Sequence, residues 1–188
     1  ASVTESCEQI ISFLKEEIMP TVKITGAKGL VQSSGTGPSD LNAGHKNTVV
    51  LSGGGATTLT AADSGATCIF DTAAASTFTL PQPELGMKFT FISTITATGD
   101  HEIIAPTNGQ GFLGGVLIMN TTADQCNAFS AATDGENDYF TMNGSTTGGI
   151  AGSRVECCAI LGAGAAKSWA VHGTIIGSGN TTTPFADA

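Results

Sequence analysis

Charge is scarce in this chain. Only 12% of its 188 residues are Asp, Glu, Lys or Arg, against about 25% in an ordinary globular domain. Cations are scarcer still, with seven Lys and Arg against sixteen Asp and Glu and a formal net charge of −9. That sign removes the basic footprint on which phosphate binding depends, so nucleic acid is excluded as a partner. Anionic membrane surfaces repel the chain for the same reason. Long apolar runs are missing as well: the longest nearly uncharged ones, Cys157–Ala166 and Gly111–Met119, fall short of the roughly 20 residues of a membrane span. No basic n-region, apolar h-region and cleavage pattern opens the chain, so no secretory leader is expected. Aromatic anchors are few, with one Trp and one Tyr. Five cysteines, Cys7, Cys68, Cys126, Cys157 and Cys158, make an odd set without framework spacing. They read as reduced thiols packed as small hydrophobes in an intracellular product.

Against these shortages stand 40% apolar residues and 25 glycines. A chain of this length buries about 70% of its unfolded surface, so it supports a full core. A surface so poor in charge is either wetted by Thr, Ser, Asn and Gly or covered by a partner. Partner or subunit burial is the expectation. The shortage is also local: residues 1–28 hold four acids and three lysines, whereas residues 29–188 hold twelve acids and four bases.

From Ser2 to Met19 the spacing predicts an amphipathic helix, with Cys7, Ile10, Ile11, Leu14 and Ile18 on one stripe. Ser2 and Glu5 fit a capping box and Pro20 marks the stop. The face Ile10, Ile11, Leu14 and Ile18 is the candidate anchor, packed on its own β domain or in a groove of another subunit. Thr21–Thr25 alternates as a first strand. The organisation expected is therefore a helix and first strand over 1–28, a Gly/Ser/Pro-rich linker or loop over 29–46, a β domain over 47–176 and a flexible or extended tail over 177–188.

Within the β domain, strands are expected near Asn47–Ser52, Thr67–Phe70, Thr77–Leu80, Met87–Ile95, Glu102–Ala105, Gly115–Met119, Asn127–Ala131, Asp138–Met142, Arg154–Leu161 and Ser168–Thr174. So many short runs argue for a mainly β fold, an antiparallel β-sandwich or barrel-like domain behind the N-terminal helix. Met87–Ile95 alternates most clearly, Met87, Phe89, Phe91, Ser93 and Ile95 against Lys88, Thr90, Ile92 and Thr94. No internal repeat stands out.

The chemistry-bearing residues stay scattered. His45, His101 and His172 lie in separate segments without metal-ligand spacing, and no G-x-S-x-G elbow is present. Gly109–Gly114 matches a dinucleotide fingerprint by letters but leads into a strand-like run instead of a helix. Gly162–Lys167 reads as a hairpin turn. Asp134, Glu136 and Asp138 are close enough to ligate Ca²⁺, yet Asp134-Gly135 is first a turn signal. Cys157 and Cys158 fall on opposite strand faces, and the sequons at Asn120, Asn143 and Asn180 are those expected of a Thr-rich chain. No catalytic residue, metal or cofactor is assigned.

Two longer stretches carry a resemblance. Ala61-Ala-Asp-Ser-Gly-Ala-Thr-Cys-Ile-Phe-Asp71, followed by Thr77-Phe-Thr-Leu-Pro-Gln-Pro-Glu-Leu-Gly-Met-Lys-Phe-Thr-Phe-Ile92, resembles a β module of tailed-phage virion structural proteins, marine and cyanobacterial ones in particular. Arg154–Ile160 followed by Ser168–Gly173 is similar to the closing hairpin of such modules. The corner of that module is Leu80, Pro81, Pro83, Gly86 and Phe89; its prolines suit an edge or turn, and Gly86 a chain reversal. The resemblance implies a non-enzymatic capsid decoration or cement protein that bridges capsomers, or else a head-fibre or tail-fibre domain that binds a receptor or carbohydrate. It further implies a homotrimer, a major capsid protein as partner, and a place on the capsid surface after synthesis in the host cytoplasm.

Overall fold

The computed structural model describes residues 22–25, 29–32, 48–106, 110–161 and 167–187. The chain divides into two compact units, Ala1–Asn47 and Thr48–Ala188. In the first, β1 (Val22–Thr25) and β2 (Gly29–Gln32) pair antiparallel, Ile24 opposite Leu30. Residues 29–32 are thus strand and not linker, because the Gly/Ser/Pro-rich composition begins only at Ser33. The expected helix, with Ile10, Ile11, Leu14 and Ile18, lies outside the described residues.

The second unit holds β3 (Val49–Leu51), β4 (Ala56–Thr58), β5 (Thr67–Phe70), β6 (Ser76–Thr79), β7 (Lys88–Ser93) and β8 (His101–Ile104). It continues with β9 (Phe112–Asn120), β10 (Gln125–Ser130), β11 (Tyr139–Met142), β12 (Arg154–Leu161), β13 (Lys167–Gly177) and β14 (Phe185–Ala186). They form a seven-stranded sheet in the order β10-β9-β13-β12-β7-β5-β3 and a five-stranded sheet in the order β14-β11-β8-β6-β4.

The class is mainly β, but the sheets are mixed and not antiparallel. Pairs β3–β5, β5–β7, β4–β6, β6–β8 and β9–β13 run parallel. The reason lies in the corners. From β3 to β8 each turn carries the chain across to the other sheet instead of reversing it within one, so every strand meets the strand two elements on, running the same way. The result is three stacked coils, β3-β4, β5-β6 and β7-β8. This is an internal repeat in backbone only: inward positions align as Val50, Cys68 and Phe91 in one sheet and as Thr57, Phe78 and Ile103 in the other. Their identities differ, which hid the period. Beyond the third coil, β11 covers β8 and β12 covers β7, both antiparallel.

Alternation decides what is buried. In β7, Phe89, Phe91 and Ser93 point inward and Lys88 outward. Side chains from both sheets meet in one core: the Phe78 ring lies 5.0 Å from Phe70 and 5.6 Å from Phe91. Each such fully buried side chain contributes about 1.5–3 kcal/mol relative to an exposed one. Along the five-stranded sheet the column Phe78, Ile103, Phe140, Phe185 continues the core to the C-terminus. Coils are also tied at their corners. The Asp71 carboxylate of the second accepts hydrogen bonds from Ser52 Oγ at 3.0 Å and Gly53 N–H at 2.8 Å of the first.

The C-terminal segment is extended as expected but is not free. Asn120 Nδ2 donates to the Gly179 carbonyl, Thr182 N–H to the Thr146 carbonyl, and Phe185 packs edge-on to Phe140 at 5.2 Å. A Phe in a polar tail is an apolar group that folding buries.

Candidate functional site

The densest group of ionisable side chains among the described residues sits on the outer face of the seven-stranded sheet. Strand parity turns Lys88 of β7, Arg154 and Glu156 of β12 and His172 of β13 outward, and register brings them together, because Glu156 lies directly opposite His172 and Lys88 opposite Cys158. Lys88 Nζ donates to Glu156 Oε2 at 2.7 Å, Arg154 Nη2 donates to Oε1, and His172 Nε2 stands 3.4 Å from Oε2. Glu156 is the shielded member, its side chain 16% exposed while its three partners are more than half exposed. The Lys88 hydrogen bond, then the surrounding positive charge, hold its carboxyl below the ordinary range, against the opposing effect of burial. The same bond raises the Lys88 ammonium. A carboxylate so engaged is held ionised, and its bonds join β7 and β12 across the outer face of the sheet. Exposed pairs of this kind contribute little stability each.

Beside it runs a shallow groove of about 610 Å³, lined among others by Gly114, Gly115, Leu117, Ala128, His172 and Thr174. Gly114 has φ 103, and a Cβ there would lie 2.5 Å from the Val171 carbonyl oxygen. At Gly115 a Cβ would lie 2.5 Å from the Phe129 carbonyl oxygen. Neither position accepts a side chain, so the groove is floored by bare backbone. Among the described residues, His172 is the one titratable group on its wall.

The residues singled out in the sequence go elsewhere. Leu80 and Pro83 are buried, Pro81 is half-buried, and Gly86 at φ 93 closes a turn in which Met87 N–H donates to the Glu84 carbonyl. Phe89 is fully buried with its ring 5.7 Å from Trp169. Together they carry the chain from β6 in one sheet to β7 in the other. Asp134 ends in a turn, its Oδ1 accepting from Glu136 N–H at 3.2 Å. Among the described residues no group of three or more His, Cys, Asp or Glu is placed to hold a metal. Cys157 is buried and Cys158 half-buried on opposite faces of β12. Burial, then the Asp63 charge, pushes the Cys68 thiol up to about 12, and burial raises that of Cys157 too. Cys126 is exposed, unlike the packed thiols expected.

His101 is fully buried, stacked on Phe70 at 4.5 Å, with Nε2 2.9 Å from the Thr72 carbonyl and no partner on Nδ1. Burial lowers its pKa. The ionic cluster and the glycine floor both escaped sequence reasoning. Outward parity of Lys88, Arg154 and Glu156 is readable from alternation; which strands adjoin is not.

No family model, curated protein or solved structure matches this chain.

Proposed function

We propose that the chain is a non-enzymatic structural protein of a virion, a β-sandwich capsid decoration or cement protein that bridges subunits of a major capsid protein. The observation that carries this reading is the surface of the β unit. Val49, Leu51, Leu117, Met119 and Leu161 are 44–57% exposed on a body that holds few charges. Such a surface suits extensive contact with other subunits better than a free life in solvent. The resemblance in the Asp63–Gly65 turn, the Leu80–Gly86 corner and the β12–β13 hairpin supports the viral setting. The groove beside His172 is the feature that favours the alternative, a head or tail fibre that binds a receptor or carbohydrate. Against it, Trp169 is fully buried and so offers no platform for a sugar ring.

The test is made on particles. Virions purified from infected host cells are expected to contain the chain in fixed ratio to the shell subunit, and electron cryomicroscopy to place it outside the shell. Particles without it refute the reading, and density confined to a fibre turns it into the alternative.

A further inference from the structure

The stack of coils has two unlike ends. Strands β7 and β8 are covered by β12 and β11, whereas β3 and β4 have a described neighbour on one side only. Thr67 N–H donates to the Thr48 carbonyl and Ser52 N–H to that of Ile69; in the other sheet Thr77 N–H donates to Gly55 and Leu59 N–H to Thr79. The hydrogen-bonded edges therefore run over Thr48–Ser52 and Gly55–Leu59. Backbone direction alternates along a strand, so Val49, Leu51, Ala56 and Thr58 turn their N–H and carbonyl groups to the open end. Val49 and Leu51 are also 56% and 55% exposed.

Edges of this kind are ordinarily blunted by lysine, proline or a capping element. Residues 47–62 contain no ionisable side chain and no proline. The nearest carboxylates are already engaged within the fold. Asp63 Oδ2 accepts from Thr60 N–H at 2.8 Å and from its hydroxyl at 2.7 Å, and Asp71 holds Ser52 and Gly53.

We propose that this open end pairs with the same end of a second copy of the chain, β3 and β4 each adding to its counterpart so that both sheets run on from copy to copy. Charge selects the occupant. In a chain of net charge −9, a face that brings two copies together has to be poor in carboxylates, and residues 47–62 carry none. Among the described residues, the strands themselves offer neither a carboxylate to a cationic partner nor a cation to an acidic one. The edge strand β10 serves less well, since Asp124 and Asp134 flank it and each copy would bring more carboxylates. At the far side the sheets end on β10 and β14, where Asp124, Asp134 and Asp187 add carboxylates, so the neutral end pairs with its own copy. The contact is then isologous, with antiparallel pairing across a two-fold axis, and closes at a dimer. It differs in stoichiometry from the homotrimer implied by the resemblance, and it does not rest on the virion reading.

The experiment uses the full chain. Sedimentation velocity over a concentration series is expected to give twice the chain mass of 18.8 kDa. Hydrogen exchange at the amides of Val49, Leu51, Ala56 and Thr58 is expected to slow as concentration rises. Val49→Lys with Leu51→Lys sets like charges across the axis and raises the dissociation constant at least about tenfold, equivalent to about 1.4 kcal/mol. Ala56→Pro removes one outward N–H, leaves the bonds to β6 intact and weakens the pair as well. Leu117→Lys, on β9, leaves it unchanged. A monomer at every concentration, a trimer indifferent to these substitutions, or edge protection independent of concentration overturns the proposal.

Discussion

Phe185→Ala tests whether the C-terminal segment is part of the fold. Phe185 is 7% exposed, its ring stands edge-on 5.2 Å from Phe140, and its backbone pairs opposite Phe140 at the edge of the five-stranded sheet. Replacing a fully enclosed Phe by Ala costs about 3–5 kcal/mol, of which the ring–ring contact accounts for about 0.5–1.5. The two-residue strand β14 can shift to fill part of the space, so the expected loss is about 2–3 kcal/mol, at or below the bottom of that range. The assay is urea unfolding of the full chain followed by circular dichroism, with the m-value compared to confirm that the same surface unfolds. Amide exchange should report the same event locally. Thr141 N–H donates to the Pro184 carbonyl at 2.8 Å and Thr182 N–H to Thr146 at 2.9 Å, and both should exchange faster in the variant. A loss under about 0.5 kcal/mol, the range of an ordinary surface substitution, with both amides unchanged, would refute the docking of this segment.

His101 and the cysteines supply two further tests. Burial outweighs the Thr72 carbonyl and the Asp100 charge, so the folded pKa of His101 lies below the ordinary 6.5. The unfolded state then binds the proton more readily, and its contribution to stability is intact above pH 6.5 and lost as pH falls below it, at no more than about 1.4 kcal/mol per pH unit for one proton. Urea midpoints at pH 7.5 and 5.5 should show this fall, and a His101→Gln profile of equal steepness would sink the assignment. In the second, iodoacetamide at pH 8 should label Cys126 in the native chain and leave Cys68 and Cys157 unlabelled until urea unfolds it, because only the thiolate reacts. Labelling of Cys68 at the rate of Cys126 would contradict its burial.

The fold was legible wherever side chains alternate. Met87–Ile95 announces β7 and its faces as far as Ser93, where the strand ends and Ile95, expected on the Phe89 face, is exposed; Arg154–Leu161 with Lys167–Gly177 forms the hairpin that Gly162–Lys167 suggested, Leu161 opposite Lys167. Strand β4 was not legible, since Ala56, Thr57 and Thr58 follow three glycines and carry no large side chain; only pairing with β6 makes them a strand. Direction was hidden for a different reason. Alternation tells which face a residue takes but not which strand lies beside it, and a corner that changes sheets reads like one that reverses. The ionic cluster was lost the same way. Glu156, Lys88 and His172 come from three strands, two of them more than sixty residues from the first, and only register joins them.

The coil stack gives the shortage of charge a cause of its own. Parallel coils in register set equivalent outward positions about 4.8 Å apart, where like charges repel. The outward columns accordingly run Val49, Thr67, Thr90 and Ala56, Thr77, Glu102. Glu102 there takes a hydrogen bond from the Thr77 hydroxyl at 3.0 Å. The first column meets a carboxylate only at Glu156, beside Lys88, Arg154 and His172. Thr and Ser keep such columns wet without repulsion. The stack leaves unexplained the large exposed apolar side chains: Leu117, Met119 and Leu161 beyond it, and Val49 and Leu51 on an edge whose residues 47–62 hold no lysine and no proline. In-register repulsion does not account for these two, because the first coil has a described neighbour on one side only; the proposed pairing of copies would.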